Sequence, residues 1–143
     1  MKTVTFCGHS NLSQEEKAIA ERELHIIIES LILHGATEFL LGGYGDFDLM
    51  CAKCVRRMKE KYAHIKSVLV VPYIDRKYNK ELYDCIEYPP LETVPKRYAI
   101  SKRNEYMVDK AQVVVVYVRH AWGGASKTLE YAKRKNKIIK EVI

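Results

Sequence analysis

Short apolar runs alternate with longer amphipathic segments along the whole chain. Five apolar runs predict β-strands, at residues 3–8, 37–43, 67–74, 113–118 and 137–143. The segments between them carry apolar residues at helical spacing and predict helices at about 47–62, 96–110 and 126–134, with a first helix between Ser13 and Gly35. Ser13 and Glu16 have the spacing of a capping box, and Gly35 suits a C-terminal cap.

Strands that alternate with helices predict a parallel sheet that is covered on both faces. The run 113–118 has no polar alternation, as expected for a central strand. We therefore expect an α/β fold, a Rossmann-like three-layer sandwich with a mainly parallel, five-stranded sheet. Residues 75–96 contain Pro89, Pro90 and Pro95, and they predict an irregular functional loop with a short helix near 79–83.

Composition restricts the class of protein. Of 143 residues, 48% are apolar and 29% are charged, which predicts a single globular domain over residues 1–143. No apolar stretch approaches the roughly 20 residues that cross a bilayer. A strand pattern begins at residue 3, so we expect no signal peptide. We expect a soluble, cytoplasmic protein that does not bind membranes.

Four cysteines in such a chain do not indicate a disulfide scaffold. Cys51 and Cys54 form a C-x-x-C motif, which raises the question of a redox or metal site. They share an apolar helical stripe with Phe47 and Met58, where free cysteine packs as a small hydrophobic residue. No second cysteine pair accompanies them. We interpret both as core residues, and we expect neither a metal nor a cofactor.

Three of the predicted strand-to-helix turns contain six of the seven glycines. Glycine lets backbone N–H groups approach a ligand closely, and each turn opens a helix whose N-terminus favours an anion. Because the carboxyl ends of parallel strands share one edge of a sheet, we expect these turns to converge on a phosphate. Their candidate ligand-binding residues are Gly8, His9, Ser10, Gly42, Gly43, Tyr44, Gly45, Asp46, His120, Trp122, Gly123, Gly124, Ser126 and Thr128.

Arg103 lies on the inward stripe of its predicted helix, four residues before Met107. A buried guanidinium is costly unless it finds a carboxylate or a phosphate. We interpret Arg103 as a phosphate ligand, with Asn104 sharing that role, rather than as a side chain whose charge reaches solvent. Trp122 and Tyr44 are candidates to stack on a base.

Four segments, in the same order and over most of the chain, resemble the SMF/DprA–LOG (SLOG) superfamily of Rossmann-like proteins. Its best-known enzymes are the Lonely Guy nucleoside-monophosphate phosphoribohydrolases. VTFCGHS resembles their opening strand with its FCGSS turn, and LLGGYGDFDLMCAKCV resembles their GGG-x-x-GLMG turn and helix. KRNEYMVDKAQVVVVYV resembles their R-x-x-x-M-x-x-x-AD helix and strand, and WGGASKTLEYA stands where they carry PGG-x-GT-x-x-E. The pattern also resembles small standalone members related to YpsA.

The resemblance implies a nucleotide pocket, with Arg103 and Glu130 as the counterparts of catalytic residues. Several positions depart from the family pattern. Trp122 replaces the proline, and Glu130 follows Thr128 at two residues rather than three. In the second turn, residues 46–48 interrupt the usual glycine. The fold and the pocket therefore transfer to this chain better than the activity does.

Three functions remain in competition. The first is a module that binds a nucleotide or an NAD- or ADP-ribose-derived ligand, as a sensor or a sequestering protein. The second is a hydrolase that cuts the N-glycosidic bond of a nucleoside 5′-monophosphate, with Glu130, or Asp46 or Asp48 in its place, as the carboxylate that stabilises positive charge.

The third is single-stranded nucleic acid binding, since the net charge is +6 and basic residues cluster near 96–103 and 133–137. We favour a solvated basic surface over such a site. The resemblance also implies a homo-oligomer, and Ile26 and Ile32 widen the apolar face of the first helix.

Overall fold

The computed structural model describes residues 2–142, in which six strands form one sheet with helices on both faces. The strands are β1 (Lys2–Gly8), β2 (Ala36–Leu41), β3 (Lys66–Val70), β4 (Cys85–Glu87), β5 (Val113–Tyr117) and β6 (Ile138–Glu141). The helices are α1 (Gln14–Leu33), α2 (Asp46–Lys61), α3 (Ala99–Lys110) and α4 (Gly124–Arg134), and a 3₁₀ turn at Lys96–Tyr98 precedes α3. The α/β, Rossmann-like architecture expected from the sequence is confirmed.

The order of the strands places the ends of β1, β2 and β5 together. The sheet runs β4-β3-β2-β1-β5-β6, and every neighbouring pair is parallel. The chain goes from β1 to β2 on one side, and it later returns to β5 on the other side of β1. This reversal of strand order is the point at which open α/β sheets bind ligands, beyond the carboxyl ends of the strands.

Strand β5, which lies between β1 and the edge strand β6, shows how the two helical layers are separated. Val113 and Val115 pack into the core that α1 and α2 cover. Val114 and Val116 point to the other face, where they pack with Val108 of α3. All five residues of this strand are buried, which explains why its sequence shows no polar alternation.

The segment between β3 and α3 differs from the sequence prediction. The predicted five strands omit β4, and the predicted helix near 79–83 is wrong, because these residues are irregular apart from a turn at 81–82. Asp84 fixes this geometry. Its carboxylate accepts a hydrogen bond from the Ser67 N–H (2.7 Å), and its own N–H donates to the Ser67 carbonyl (3.0 Å). These bonds hold β4 against β3 at the edge of the sheet.

The two isoleucines that widen the apolar face of α1 have different environments. Ile32 is buried in the core, whereas Ile26 is 65% exposed. Ile19 and Leu33 are also exposed, one on each side of Ile26 at a spacing of seven residues. Part of the broad apolar face therefore belongs to the core of this chain, and homo-oligomerisation stays a prediction.

The C-x-x-C cysteines lie in the core, as their helical spacing predicts. Cys51 and Cys54 are both fully buried. Burial raises the pKa of the Cys54 thiol to about 11 and raises the pKa of Cys51 well above its ordinary value. Both thiols are therefore neutral near pH 7 and poor nucleophiles. Within residues 2–142, no three metal-ligating side chains are grouped, and no helix is long and apolar enough to cross a membrane.

The capping box at the start of α1 gives a test of local stability. The Ser13 hydroxyl accepts from the Glu16 N–H (3.1 Å), and the Glu16 carboxylate accepts from the Ser13 N–H (2.9 Å). Ser13→Ala should lower the free energy of unfolding by about 1 kcal/mol, measured by urea denaturation. Ser30→Ala, at an exposed position inside the same helix, should change it by less than about 0.5 kcal/mol. Equal effects of the two substitutions would contradict the role of the cap.

Candidate functional site

A cavity of about 380 Å³ lies at the carboxyl edge of the sheet, between the turns that follow β1, β2 and β5 and the inner side of α3. Twelve of the residues expected from the sequence line it. They are Gly8, His9, Ser10, Gly42, Tyr44, Arg103, Asn104, His120, Trp122, Gly123, Gly124 and Thr128. The glycine turns and the cationic helix therefore meet in one place.

The other predicted residues lie close to the cavity but do not line it. They are Gly43, Gly45, Asp46, Ser126 and Glu130. Ser126 and Glu130 line a neighbouring groove between α3 and α4. Asp46 faces away from the cavity and ties the second turn to the first, because its carboxylate accepts the Leu12 N–H (2.9 Å) and its N–H donates to the Ser10 carbonyl (2.8 Å).

Asp48, which the sequence offered as an alternative to Glu130, also lines the cavity, in the first turn of a helix that begins at the same sheet edge. The sequence interpretation did not place seven other lining residues in the pocket. They are Phe6, Cys7, Asn11, Phe47, Ile100, Met107 and Ala125. Two of them could have been found from spacing, since Ile100 and Met107 share the inward stripe of α3 with Arg103.

The first two turns are held together by close contacts that require glycine. Gly45 has φ +94°, and a Cβ added to it would lie 2.7 Å from the Cα of Ser10. A Cβ on Gly8 would lie 2.2 Å from the ring of Phe47. The backbones of the two turns therefore approach one another more closely than side chains would permit.

Arg103 is the cation of the cavity, and it is only 3% exposed. Its Nη1 donates to the Gly42 and Val70 carbonyls, at 2.8 Å each, and its Nε donates to the side-chain oxygen of Asn104 (2.9 Å). Within residues 2–142 the remaining nitrogen, Nη2, has no acceptor, although the side chain lines the cavity. Burial lowers the pKa of the guanidinium, but arginine remains charged at neutral pH.

Asp48 is the one carboxylate among the described residues that line this cavity. Burial raises its pKa, while the Tyr44 N–H that it accepts (3.0 Å) and the charge of Arg103 act in the opposite direction. Gly42 lies between the two charged groups. A Cβ added there would be 3.1 Å from Asp48 Oδ2 and 3.2 Å from Arg103 Cζ. Only a residue without a side chain leaves that space open.

Three rings in the turns after β1 and β5 form a stacked column that lines the cavity. His9 stacks on His120 with centroids 3.9 Å apart, and His120 stacks on Trp122 at the same distance. Two hydrogen bonds fix the column, since His9 Nε2 accepts the Arg119 N–H (2.7 Å) and His120 Nδ1 donates to the Trp122 carbonyl (2.9 Å). Trp122 is 70% exposed, so one face of its indole is open to a ligand.

The N-terminus of α4 faces the same space. Its N-cap, Gly123, has φ +92° and supplies no capping side chain. A Cβ built at Gly124 would meet no atom within 4 Å, so the first turn of the helix is open to a ligand. Unpaired N–H groups and the helix dipole make such a terminus attractive to an anion. Arg103 adds the full positive charge that an isolated helix end lacks.

The ring column predicts a dependence of stability on pH. Burial, and then the neighbouring His120, lower the pKa of His9 below 6.5. The unfolded chain therefore binds the proton more readily than the folded chain, and stability present above pH 6.5 is lost as the pH falls through the lowered pKa. His9→Gln should reduce this loss, measured as the unfolding free energy between pH 7.5 and pH 5.

The matched control is His64→Gln, which removes an exposed histidine. This variant leaves the ring column intact and should keep the pH dependence of the original chain. If His9→Gln and His64→Gln have the same pH profile, the column does not influence stability.

Sequence comparisons identify distant relatives. The chain matches no protein-family model. It is 27% identical to an uncharacterised SPbeta prophage-derived protein, YoqJ of Bacillus subtilis, over 81% of each protein. It is 25% identical to the UPF0398 protein BH1768 of Halalkalibacterium halodurans, over 94% of this chain and 82% of that protein.

Several solved structures share the fold at low sequence identity. DNA processing protein A (DprA) of Streptococcus pneumoniae superposes with a TM-score of 0.69 and 17% identity, and the match covers 99% of this chain but 50% of DprA. The protein TM1055 gives a TM-score of 0.65 at 16% identity, covering 97% of this chain and 72% of that one.

The molybdenum cofactor carrier protein of Chlamydomonas reinhardtii also gives a TM-score of 0.65, at 15% identity, covering 98% of this chain and 75% of that protein. At these identities the likeness concerns the fold. It agrees with the motifs in the glycine turns and around Arg103, which predict the same superfamily. The chain therefore shares its Rossmann-like fold with DprA, TM1055 and the molybdenum cofactor carrier protein, and it is similar in sequence to the YoqJ and UPF0398 proteins.

Proposed function

We propose that the cavity binds the phosphate of a nucleotide or of an NAD- or ADP-ribose-derived ligand, and that the protein acts as a sensor or a sequestering module. The observation that carries this proposal is the buried guanidinium of Arg103. It donates three hydrogen bonds to acceptors of the protein itself, and its Nη2 remains able to donate to a ligand. A desolvated guanidinium with a free N–H favours phosphate, whose oxygens accept charge-assisted bonds.

Two further features support an anionic ligand with an aromatic group. The first turn of α4 offers backbone N–H groups beside Arg103, so that phosphate would receive both a charge and several donors. The open face of Trp122 continues a column of stacked rings, and a purine or pyrimidine would extend it. Stacking of a base on an aromatic side chain is worth about 1–3 kcal/mol.

This binding function can be tested with Arg103. A panel of AMP, ADP-ribose and NAD should raise the stability of the protein, by about 2.7 kcal/mol for a ligand at 100 times its Kd. Trp122 is the single tryptophan, so its fluorescence should report binding directly. Arg103→Gln should weaken the affinity by about 10- to 100-fold, because charge-assisted hydrogen bonds are lost.

The control for Arg103→Gln is Lys102→Gln, which removes a charge from the exposed neighbouring position and should leave the affinity nearly unchanged. Circular dichroism would establish that each variant folds. Arg103→Lys adds a second check, since it keeps the charge but loses the planar donor group. Unchanged affinity in a folded Arg103→Gln protein would refute the assignment, as would a panel that produces no stabilisation.

N-glycosidic hydrolysis is a second candidate function, and the position of Asp48 favours it. The chemistry needs a carboxylate near the oxocarbenium-like centre, together with a group that protonates the leaving base or orients the attacking water. Asp48 lines the cavity across Gly42 from Arg103, and its raised pKa is typical of a carboxyl group that acts as an acid. Glu130, the counterpart suggested by the family motif, lines the neighbouring groove instead.

Hydrolysis is tested by incubation with nucleoside 5′-monophosphates and chromatography for free base. If the protein is a hydrolase, Asp48→Asn should reduce base release by at least about 100-fold, while Glu130→Gln should retain most of it. Asparagine keeps an oxygen that can accept the Tyr44 N–H, so the turn should persist. No release of base from any of these nucleotides would exclude the hydrolase. Loss in Glu130→Gln alone would show that the carboxylate was misassigned.

A further inference from the structure

A second cavity adjoins the first and has no role in the proposed function. It is a groove of about 600 Å³ between α3 and α4. The two cavities share four lining residues, Ile100, Asn104, Gly124 and Thr128. The N-terminal turn of α4 therefore borders both spaces, and a ligand bound there could extend in either direction.

Three cations give the groove its chemical character. Arg97, Lys127 and Arg134 line it, and no carboxylate of residues 2–142 lies within 4.0 Å of any of their charged nitrogens. The lining contains two acidic residues, Glu105 and Glu130. Glu105 is paired with Lys102 at 3.4 Å, so the three cations outnumber the carboxylates. Arg97 and Arg134 lie over the rings of Tyr98 and Tyr131, but cations without carboxylate partners in a concave surface still favour an anionic occupant.

The groove also offers neutral polar groups. Ser101 and Ser126 bring hydroxyls, and the shared residues Asn104 and Thr128 bring an amide and a hydroxyl. These groups suit the hydroxyls of a sugar, which need donors and acceptors rather than charge. The volume lies within the range of small-molecule pockets, about 300–1,000 Å³. The groove thus matches a phosphorylated sugar or a nucleoside rather than an apolar group.

We propose that the two cavities are halves of one site, and that its ligand is two nucleoside- or sugar-like halves joined by a pyrophosphate. This inference rests on the proposed function and narrows its ligand class. One half lies in the first cavity beside Arg103 and Trp122. The pyrophosphate lies at the first turn of α4, and the second half lies in the groove near Lys127 and Arg134.

A single-stranded oligonucleotide fits these observations less well. Sites for single strands combine a charged track with a series of aromatic platforms, one for each base. His9, His120 and Trp122 of the stacked column line the first cavity, and within residues 2–142 Tyr131 is the one aromatic side chain that lines the groove. The combined surface therefore offers stacking for one base and sugar-type contacts beyond it.

Comparison of AMP with ADP-ribose tests the proposal, because the two differ by the half that would occupy the groove. Isothermal titration calorimetry should show ADP-ribose binding at least about tenfold more tightly than AMP to the original chain. The double variant Lys127→Gln/Arg134→Gln should lose at least about tenfold in affinity for ADP-ribose and less than about twofold for AMP, since only the longer ligand reaches the groove.

The matched control carries the same charge change outside the groove. Lys133→Gln/Lys140→Gln removes two exposed lysines and should leave both affinities unchanged. If AMP and ADP-ribose bind equally, or if the groove variant affects neither, the two-part ligand is refuted while the nucleotide-binding function stands. If neither probe binds, the proposed function fails and this inference fails with it.

A competition experiment with an oligonucleotide tests whether the groove binds single-stranded nucleic acid instead. A labelled oligo-dT should not compete with ADP-ribose at physiological salt. Competition that weakens steeply with salt, and that the groove variant abolishes, would identify the groove as a nucleic-acid surface and overturn the proposal.

Discussion

The burial of one guanidinium organises this edge of the molecule. Arg103 enters from α3 and donates to backbone carbonyls at the ends of two neighbouring strands, Gly42 after β2 and Val70 at the end of β3. A charge removed from water is tolerated only when such partners replace its hydration. The same side chain therefore joins a helix to the sheet and presents a cation to the cavity. Any change that frees Arg103 from the carbonyls would alter packing and electrostatics together.

The environment of this charge also determines how the neighbouring groups behave. The charge of Arg103 lowers the pKa of Asp48, but burial has the larger effect and raises it. Burial and the stacked neighbour His120 lower the pKa of His9, which favours its neutral form. The cavity near neutral pH thus contains one firm positive charge, polar aromatic rings and a carboxyl group whose charge is disfavoured. One fold can serve different functions, so these local features, rather than the fold, distinguish the present site.

Most of the architecture could be predicted from periodicity, and the exceptions have physical causes. The long strands and the inward position of Arg103 follow from repeats of two and 3.6 residues. Strand β4 has three residues, Cys85–Glu87, which are too few to show a repeat, and it depends on hydrogen bonds from Ser67 to Asp84 far along the chain. Such tertiary bonds leave no local signal.

The acidic residues show where helical phase decides the outcome. Asp46 and Asp48 are two positions apart, which is about 200° around a helix, so one faces α1 and the other faces the cavity. Thr128 and Glu130 have the same spacing, and Thr128 borders both cavities, whereas Glu130 lines the groove and not the first cavity. Motif matching places all four near the site, but only the geometry of the helix assigns each one a direction.

The close contact between Gly45 and Ser10 bears on how rapidly a guest molecule could be exchanged. Two of the three turns are wedged against each other, so that corner of the receptor is preorganised before anything arrives. In the third turn the indole of Trp122 is largely exposed, stacks on His120, and has its backbone carbonyl bonded to His120 Nδ1. Exchange of a ligand would then depend on movement of the exposed Trp122 side chain, while the packed turns at Ser10 and Gly45 keep their geometry.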